Sequence, residues 1–217
     1  MNRTISQLNR AGALCAAALA LAVAACGHAG PRSLRPPAVT RPSGLAPFQI
    51  PIRAGRGPRY RLPALSALVA RRAPIAGLRC TRRHPHLYGI HLELFAHRLV
   101  LPVSSGIGVA PPVRRQGVYV LGGACSYPLR TLEPTGVVRV DRMAGRVPVL
   151  GTLFAVWGQP LSSRRLADFS GPVLAFVDGH RWRGASGAIP LHRHAQIVLE
   201  VDGFLPPHPR YEFPPGL

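Results

Sequence analysis

Lysine is absent from this chain of 217 residues, and only eight residues are acidic. Arginine supplies all 27 basic side chains, a pattern typical of GC-rich coding sequences, and the formal net charge is +19. The scarcity of Asp and Glu argues against a glycosidase, which needs two carboxylates in one cleft. The positive charge favours anionic partners, namely phospholipid headgroups or envelope polymers.

The chain also lacks an apolar run of the roughly 20 residues that a membrane-spanning helix needs. The longest such run, Ala11–Ala25, follows Arg3 and Arg10 without an intervening acid. A basic start and a short apolar core are typical of a secretory signal peptide. We therefore predict an exported protein with a signal peptide at 1–25, and no nucleic-acid partner is expected outside the cytoplasm.

The predicted signal ends in Leu21-Ala-Val-Ala-Ala-Cys26, which resembles a bacterial lipobox. In that reading Cys26 is the mature N-terminus and carries acyl chains such as palmitate. These chains would anchor a lipoprotein to the cell membrane, on its extracytoplasmic side. An ordinary cleaved signal and an uncleaved anchor are the alternatives.

Cysteine is scarce beyond the signal, where only Cys80 and Cys125 remain. No CxxC spacing is present, and such a spacing would be more usual for redox chemistry or a soft metal. Outside the cytoplasm a lone cysteine pair is most simply a disulfide. We predict a Cys80–Cys125 disulfide, worth about 3 to 4 kcal/mol in the chain-entropy model. A free thiol pair is the alternative.

Composition divides the mature chain into two parts. Residues 27–78 hold nine prolines and nine arginines but no acid, which predicts a disordered tether over 26–78 after the lipidated cysteine. A short amphipathic helix or turn is expected near 62–76. All eight acids lie in 79–217, which we predict to be a single globular domain.

Within 79–217, apolar and polar residues mostly alternate, as in half-buried strands. The period changes once: Leu150, Leu153, Phe154 and Trp157 share a helical face, and Gly158 is placed to end that helix. We predict an α+β fold, a small β-rich domain of hairpins packed around one short central helix. The predicted strands cover 88–95, 97–103, 117–121, 136–141, 173–177 and 194–201.

Several of these segments occur together in a family of uncharacterised exported bacterial proteins, which the chain resembles from Cys80 to Leu217. The segments that carry the resemblance are HLELF, VSSGIGV, CSYPLRTLEPTG, GTLFAVWGQPLS, VLAFVDG, GAIPLHRHAQIVLEV and FPPGL. The family has no established activity, so the resemblance implies an architecture rather than a reaction.

The family pattern carries histidines before the first strand, as HxHxHL, and after the second cysteine, as WLHTHD. Alternate strand positions share a face, so such histidines could hold one Zn or Cu ion. Here His91 is kept, whereas Leu87 and Gly89 stand at the other two places of the first cluster. Arg130 and Leu132 replace both histidines of the second cluster. Arg139 lies where the following strand also carries histidine. The resemblance thus implies the frame of a His-lined site from which ligands have been lost.

A residual metal site could draw on His84, His86 and His91. Arg82 and Arg83 would repel a cation there, so structural histidines are the alternative.

Catalysis is not expected. Ser104, Ser105 and Ser186 lie in glycine-rich turns without the G-x-S-x-G spacing of a nucleophile elbow. The sequence Arg181-Trp182-Arg183 could bind a sugar or a headgroup, and an ordinary exposed hairpin is its alternative. We predict a non-catalytic binding module of the cell envelope, with divalent-metal handling through a degenerate His site as the alternative function.

Overall fold

A computed structural model describes residues 64–84, 87–143 and 145–217. Cys26 and His86, both named above, lie outside these residues. The strands are β1 (Leu87–Ala96), β2 (Leu99–Leu101), β3 (Val109–Ala110), β4 (Arg114–Gln116), β5 (Tyr119–Gly122), β6 (Cys125–Ser126), β7 (Leu129–Arg130), β8 (Val137–Asp141), β9 (Leu161–Ser162), β10 (Arg165–Leu166), β11 (Phe169–Ser170), β12 (Val173–Val177), β13 (His180–Arg181) and β14 (Gln196–Val201). The helices are α1 (Ala67–Ala70), α2 (Leu150–Trp157) and a single 3-10 turn at Ser186–Ala188.

A seven-stranded sheet organises the domain, in the order β13-β12-β14-β1-β8-β7, with β2 paired to β1. The neighbours β1 and β14 run parallel, whereas the other pairs in this sheet are antiparallel. The apolar residues of β1 and β14 are buried on both faces of the sheet, as expected for its central strands. The sheet therefore depends on a pairing between the beginning and the end of the domain.

The helix α2 forms where the apolar period predicts it. Its residues Leu150, Leu153, Phe154 and Trp157 are buried in the main core together with Ile90 of β1. Gly158 ends the helix with a left-handed φ of 77°, and its N–H donates to the Phe154 carbonyl at 2.8 Å. The helix and its C-terminal stop are confirmed.

The two faces of the sheet differ because side chains alternate along each strand. Ile90, Leu92 and Leu94 belong to the main core with α2. His91 and Glu93 point to the opposite face, where they are nevertheless buried. That face is covered by residues 203–217, which we call the C-terminal strap.

The predicted α+β class is wrong, because the domain is mostly β. Of the described residues, 38% are in strands or bridges and 10% are helical, and α2 is the one helix of seven residues or more. The centre of the domain is a sheet rather than a helix surrounded by hairpins. The sequence pattern overstated the helix because its apolar residues are large and conspicuous, although it has only about two turns.

Residues before the predicted start at 79 also pack into the domain. Val69 of α1, Ile75 and Leu78 are part of the main core. A segment that belongs to the predicted tether therefore contributes to the core. Among the described residues, no helix is long and apolar enough to cross a membrane.

Candidate functional site

The predicted disulfide is confirmed: Cys80 and Cys125, which are 45 positions apart in sequence, are joined, with their Cα atoms 5.5 Å apart. The bond holds the segment after Cys80 beside β6, and the backbones of Thr81 and Ser126 donate to each other at 2.8 Å. This contact places His84 beside Asp141, the last residue of β8.

His84 joins a partly buried polar network there. Its Nε2 is 2.7 Å from the Ser126 hydroxyl, and its Nδ1 is in close contact with the Asp141 carboxylate. Nη1 of Arg130 lies 3.1 Å from the same carboxylate and 3.0 Å from His84 Nδ1. It also donates to the Tyr127 carbonyl at 3.3 Å. The buried carboxylate thus contacts two cationic or protonatable groups.

Ser126, His84 and Asp141 follow the order of hydrogen bonds in a serine-hydrolase triad. Such an enzyme also needs N–H groups aimed at the developing oxyanion. The Ser126 N–H donates to Thr81, and the Tyr127 N–H donates to the Gly108 carbonyl at 2.8 Å. Each of these two N–H groups thus already has a backbone acceptor. Sequence reasoning tested serines in glycine-rich turns and missed Ser126, whose one signal was its place beside Cys125.

Burial lowers the pKa of Arg130, and the charge of Asp141 opposes that shift. Arg130 is only 5% exposed. A buried guanidinium is tolerated when a carboxylate and a carbonyl accept its hydrogen bonds, as they do here. Arg130 therefore occupies the place of a predicted lost ligand as part of an ion pair.

His91 belongs to a different network, on the strap side of the sheet. Its Nε2 lies 2.8 Å from the Thr135 carbonyl, which only accepts, so Nε2 carries a proton. The terminal amide of Gln196 is 2.8 Å from Nδ1. Burial lowers the pKa of His91, which favours a neutral ring whose Nδ1 accepts from the amide NH₂. If the amide oxygen of Gln196 faced Nδ1 instead, its buried amide nitrogen would have no partner among the described residues. We therefore orient the amide with its NH₂ group toward His91 Nδ1.

The structure does not bring His84 and His91 together. Asp141, which His84 contacts, pairs with Leu87, four residues along β1 from His91, a distance of about 13 Å. Within the described part of the chain, no group of three or more His, Cys, Asp or Glu side chains has a metal-binding arrangement. His86, the third predicted ligand, lies outside that part.

Three positions at which the family resemblance implies histidine nevertheless form one row across the sheet. Gly89 of β1 is opposite Arg139 of β8, which in turn is opposite Arg130 of β7. Arg139 contacts the Glu133 carboxylate at 3.3 Å. A Cβ at Gly89 would lie 2.7 Å from Phe213 Cδ1, so a ring of the strap fills the space beside this position.

The strap contacts the polar face mainly through side chains. Tyr211 stacks on His91 with ring centroids 3.7 Å apart, and Phe213 stacks on His194 at 4.7 Å. His208 Nδ1 is 2.7 Å from Glu93. Aromatic stacking and the contact between His208 and Glu93 therefore help to hold the strap over the sheet.

Glu200 is a further buried acid on this face. Burial raises its pKa to about 7, with the Leu205 N–H and the charge of Arg181 opposing the shift. The Leu205 N–H donates to Glu200 at 3.2 Å. The start of the strap is thus attached to a carboxyl group that titrates near neutrality.

The predicted ligand surface forms a groove of about 440 Å³, lined by Arg181, Trp182 and Arg183 together with Ser163 and Ser186. No carboxylate is among the described residues that line it. The residues lining the groove thus include two arginines, a tryptophan and two serines.

Local contacts hold two of these side chains in place. The Arg181 guanidinium lies 5.4 Å from the centre of the Phe176 ring. The Trp182 indole N–H donates to the Ala185 carbonyl at 3.1 Å. The indole is also partly packed against the main core, so it forms a fixed apolar wall.

No protein-family model matches the chain, and no curated protein or solved structure is significantly similar to it. Function is therefore inferred from the geometry of these three places: the network at His84, the polar face under the strap, and the groove at Trp182.

Proposed function

We propose that the protein is a non-catalytic binding module of the cell envelope, which holds an anionic sugar polymer in the groove at Arg181, Trp182 and Arg183. The observation that carries this proposal is the composition of the groove, with two arginines and a tryptophan among its lining residues and no carboxylate among those described. Guanidinium groups recognise carboxylates or sulfates, and apolar walls suit the faces of sugar rings. Exported, lipid-anchored localisation through Cys26 belongs to the same proposal and rests on the sequence.

Arg183 and Trp182 line the groove, whereas the Arg181 guanidinium lies over the Phe176 ring, which is not among the residues lining it. Arg181 therefore supports the proposal as a positive charge at the edge of the groove rather than as a group held inside it. The arginines of the predicted tether would add a nonspecific attraction, on the order of 1 kcal/mol per residue close to an anionic surface. The tether would thus bring the protein to an anionic polymer, and the groove would select for a charged sugar.

The test uses the full chain in detergent with Trp157→Phe, which leaves Trp182 as its one tryptophan. Titration with oligomers of uronic acids should change the Trp182 fluorescence, whereas neutral dextran of equal length should not. Arg181→Gln/Arg183→Gln should weaken binding about tenfold, or about 1.4 kcal/mol. The matched control Arg142→Gln/Arg146→Gln removes the same charge from exposed residues outside the groove, and should change affinity less than about twofold.

Equal weakening by both pairs would contradict a groove-specific site, because it would leave only general electrostatic attraction. Anionic phospholipid vesicles form a second arm of the experiment. If vesicles displace the uronate oligomer and bind more tightly, a lipid headgroup is the ligand and the sugar-polymer proposal is wrong.

Divalent-metal binding through His84, His86 and His91 is the alternative carried by the sequence. The separate networks of His84 and His91 do not favour it. Calorimetry with Zn²⁺ and Cu²⁺ on the full chain and on the triple-alanine variant of these residues decides it. Tight stoichiometric binding that the variant loses would make metal handling the leading function.

A further inference from the structure

The strap resembles a bound peptide more than an integral part of the sheet. Within the described residues, 203–217 contribute no strand to any sheet. The last residue is attached by side-chain donors: His194 Nε2 lies 2.8 Å from the Leu217 carbonyl, and Arg193 Nη2 donates to it at 3.3 Å. The rest of the strap is rich in proline. Proline favours an extended segment that loses little conformational entropy on binding.

Three strap residues at alternate positions contact the domain. Pro209 packs on Gly179, where an added Cβ would lie 2.9 Å from the proline ring. Tyr211 stacks on His91. Phe213 lies against His194 and the notch at Gly89. The residues between them, Arg210 and Glu212, are exposed.

The same pattern occurs a second time in the chain. The strap reads Pro209-Arg-Tyr-Glu-Phe-Pro214, and the predicted tether reads Pro58-Arg-Tyr-Arg-Leu-Pro63. Proline and tyrosine are repeated at the first two contact positions, and leucine replaces phenylalanine at the third. The chain has only five tyrosines, and two of them stand in this pattern.

The exposed position between the last two contact residues differs in charge: the strap has Glu212 there, whereas the tether has Arg61. The acids nearest to Tyr211 are already in contact with Arg139 and His208, and Glu212 is exposed. The repeat therefore keeps the apolar contact positions and varies a position that the site does not read.

We propose that the groove under the strap is a recognition site for Pro-Arg-Tyr-Xaa-Leu/Phe-Pro, and that Pro58–Pro63 of a second copy of this chain competes with the strap for it. The site is distinct from the groove at Trp182, so it does not depend on sugar binding.

Covalent reach assigns the competing segment to a second copy. Ala64 follows Pro63 directly and lines a cavity with Trp157 of α2, on the side of the sheet away from the strap. Four residues span at most about 14 Å, and within one copy the chain between Tyr60 and Ala64 would have to pass around the sheet to bring Tyr60 to His91. A second copy meets no such constraint, and we therefore assign the competing segment to it. The contact is head-to-tail between copies.

The first test measures anisotropy of a labelled peptide, Gly-Pro-Arg-Tyr-Arg-Leu-Pro-Ala, with the full chain in detergent. Phe213→Ala loosens the strap and should bind this peptide at least about tenfold more tightly than the unaltered chain. The control peptide Gly-Pro-Arg-Ala-Arg-Ala-Pro-Ala keeps the charge and should lose most of the binding. Circular dichroism and the buried Trp157 fluorescence check that the variant is folded.

A second variant keeps the test decisive if Phe213→Ala is only partly folded. Tyr211→Ala removes the other stacked ring and should also raise peptide affinity. Adding Gly89→Ala to either variant narrows the notch and should lower that affinity at least about fivefold. Equal binding of the two peptides, or binding indifferent to Gly89→Ala, would overturn the recognition site.

Sedimentation tests the source of the segment. Phe213→Ala should associate with increasing concentration, and adding Tyr60→Ala/Leu62→Ala should return it to a monomer. Peptide binding without such association would overturn the assignment to a second copy.

Discussion

The two faces of the central sheet are buried by different mixtures of side chains. The strap face has a small apolar cluster of Phe95, Phe176 and Val198, but it also buries ionisable residues. Toward α2, residues such as Leu92 and Leu94 pack against apolar side chains. Toward the strap, His91, Glu93 and Glu200 are also buried, yet each has a polar partner. Alternation along β1 would ordinarily place such residues in water. The comparison shows that a short terminal segment can turn a solvent face into a second interior.

The two interiors should respond differently to perturbation. Burial of apolar area depends little on pH, whereas buried polar groups are stable only while their partners and protonation states are kept. Four measurements sharpen or break this contrast.

The largest effect is expected from Arg130→Met, on the polar side of β7. It leaves Asp141 buried with one partner fewer and should lower the free energy of unfolding by about 3 to 5 kcal/mol. Urea unfolding measures the change. The double variant Arg130→Met/Asp141→Leu should recover most of the loss, because it removes the uncompensated charge. A double variant as unstable as the single one would contradict the ion-pair account.

On the apolar face, Leu94→Ala should lower the free energy of unfolding by about 2 to 5 kcal/mol through lost burial and a residual cavity. The loss should be the same at pH 5 and pH 8, because burial raises the pKa values of Tyr88 and Tyr127, the tyrosines of this core, above their ordinary value of 10 and both stay protonated over this range. Val118→Ala, at a side chain that is 56% exposed, is the control and should cost less than about 0.5 kcal/mol. A strong pH dependence of the Leu94→Ala loss would break the contrast between the faces.

Glu200 should give the polar face a pH dependence. Its pKa is about 7 in the folded protein against 4.5 ordinarily, so its contribution is fully present below pH 4.5 and is lost as the pH rises through 7. The expected loss is on the order of 1 to 3 kcal/mol. Glu200→Gln mimics the protonated acid and should be more stable than the unaltered chain at pH 8. The exposed control Glu212→Gln should leave the slope of stability against pH unchanged, and an equal change in both variants would count against burial as the cause.

His91 should make stability depend on pH in the direction opposite to Glu200, and its effect should be the smallest of the four. Its pKa is lowered from 6.5 in the folded protein, so its contribution is lost as the pH falls through 6.5 and the unfolded chain takes up the proton. Nitrogen-detected NMR at pH 6.5 should find the doubly protonated imidazolium form of His91 in less than half of the molecules. In the neutral form the proton should be on Nε2. A ring protonated on both nitrogens at that pH would reverse our orientation of Gln196.

Local sequence patterns were sufficient for the parts of the fold that local physics determines. The alternation in β1, the helix face ending at Gly158 and the lone cysteine pair each carried a direct signal. The strand order did not, because the β1–β14 pairing joins residues such as His91 and Gln196, 105 positions apart. No periodicity encodes such a pairing.

The candidate sites were predicted unevenly for the same reason. Arg181, Trp182 and Arg183 are adjacent in sequence, so their groove could be anticipated. The network of His84, Ser126 and Asp141 spans 57 residues, and His91 meets Tyr211 only through the strap. Sequence reasoning grouped His84 with His91 by proximity along the chain, whereas the strand between them holds the two side chains apart.

The parallel pairing of β1 with β14 has a consequence for the order of events during synthesis. β1 is made first, and its neighbour β14, which ends at Val201, is made about 100 residues later. Until then one edge of β1 is an open template for another strand. Completion of the sheet must wait until β14 has emerged, so the domain is expected to fold as one unit only after that strand is made, and its nascent form is exposed to aggregation until then.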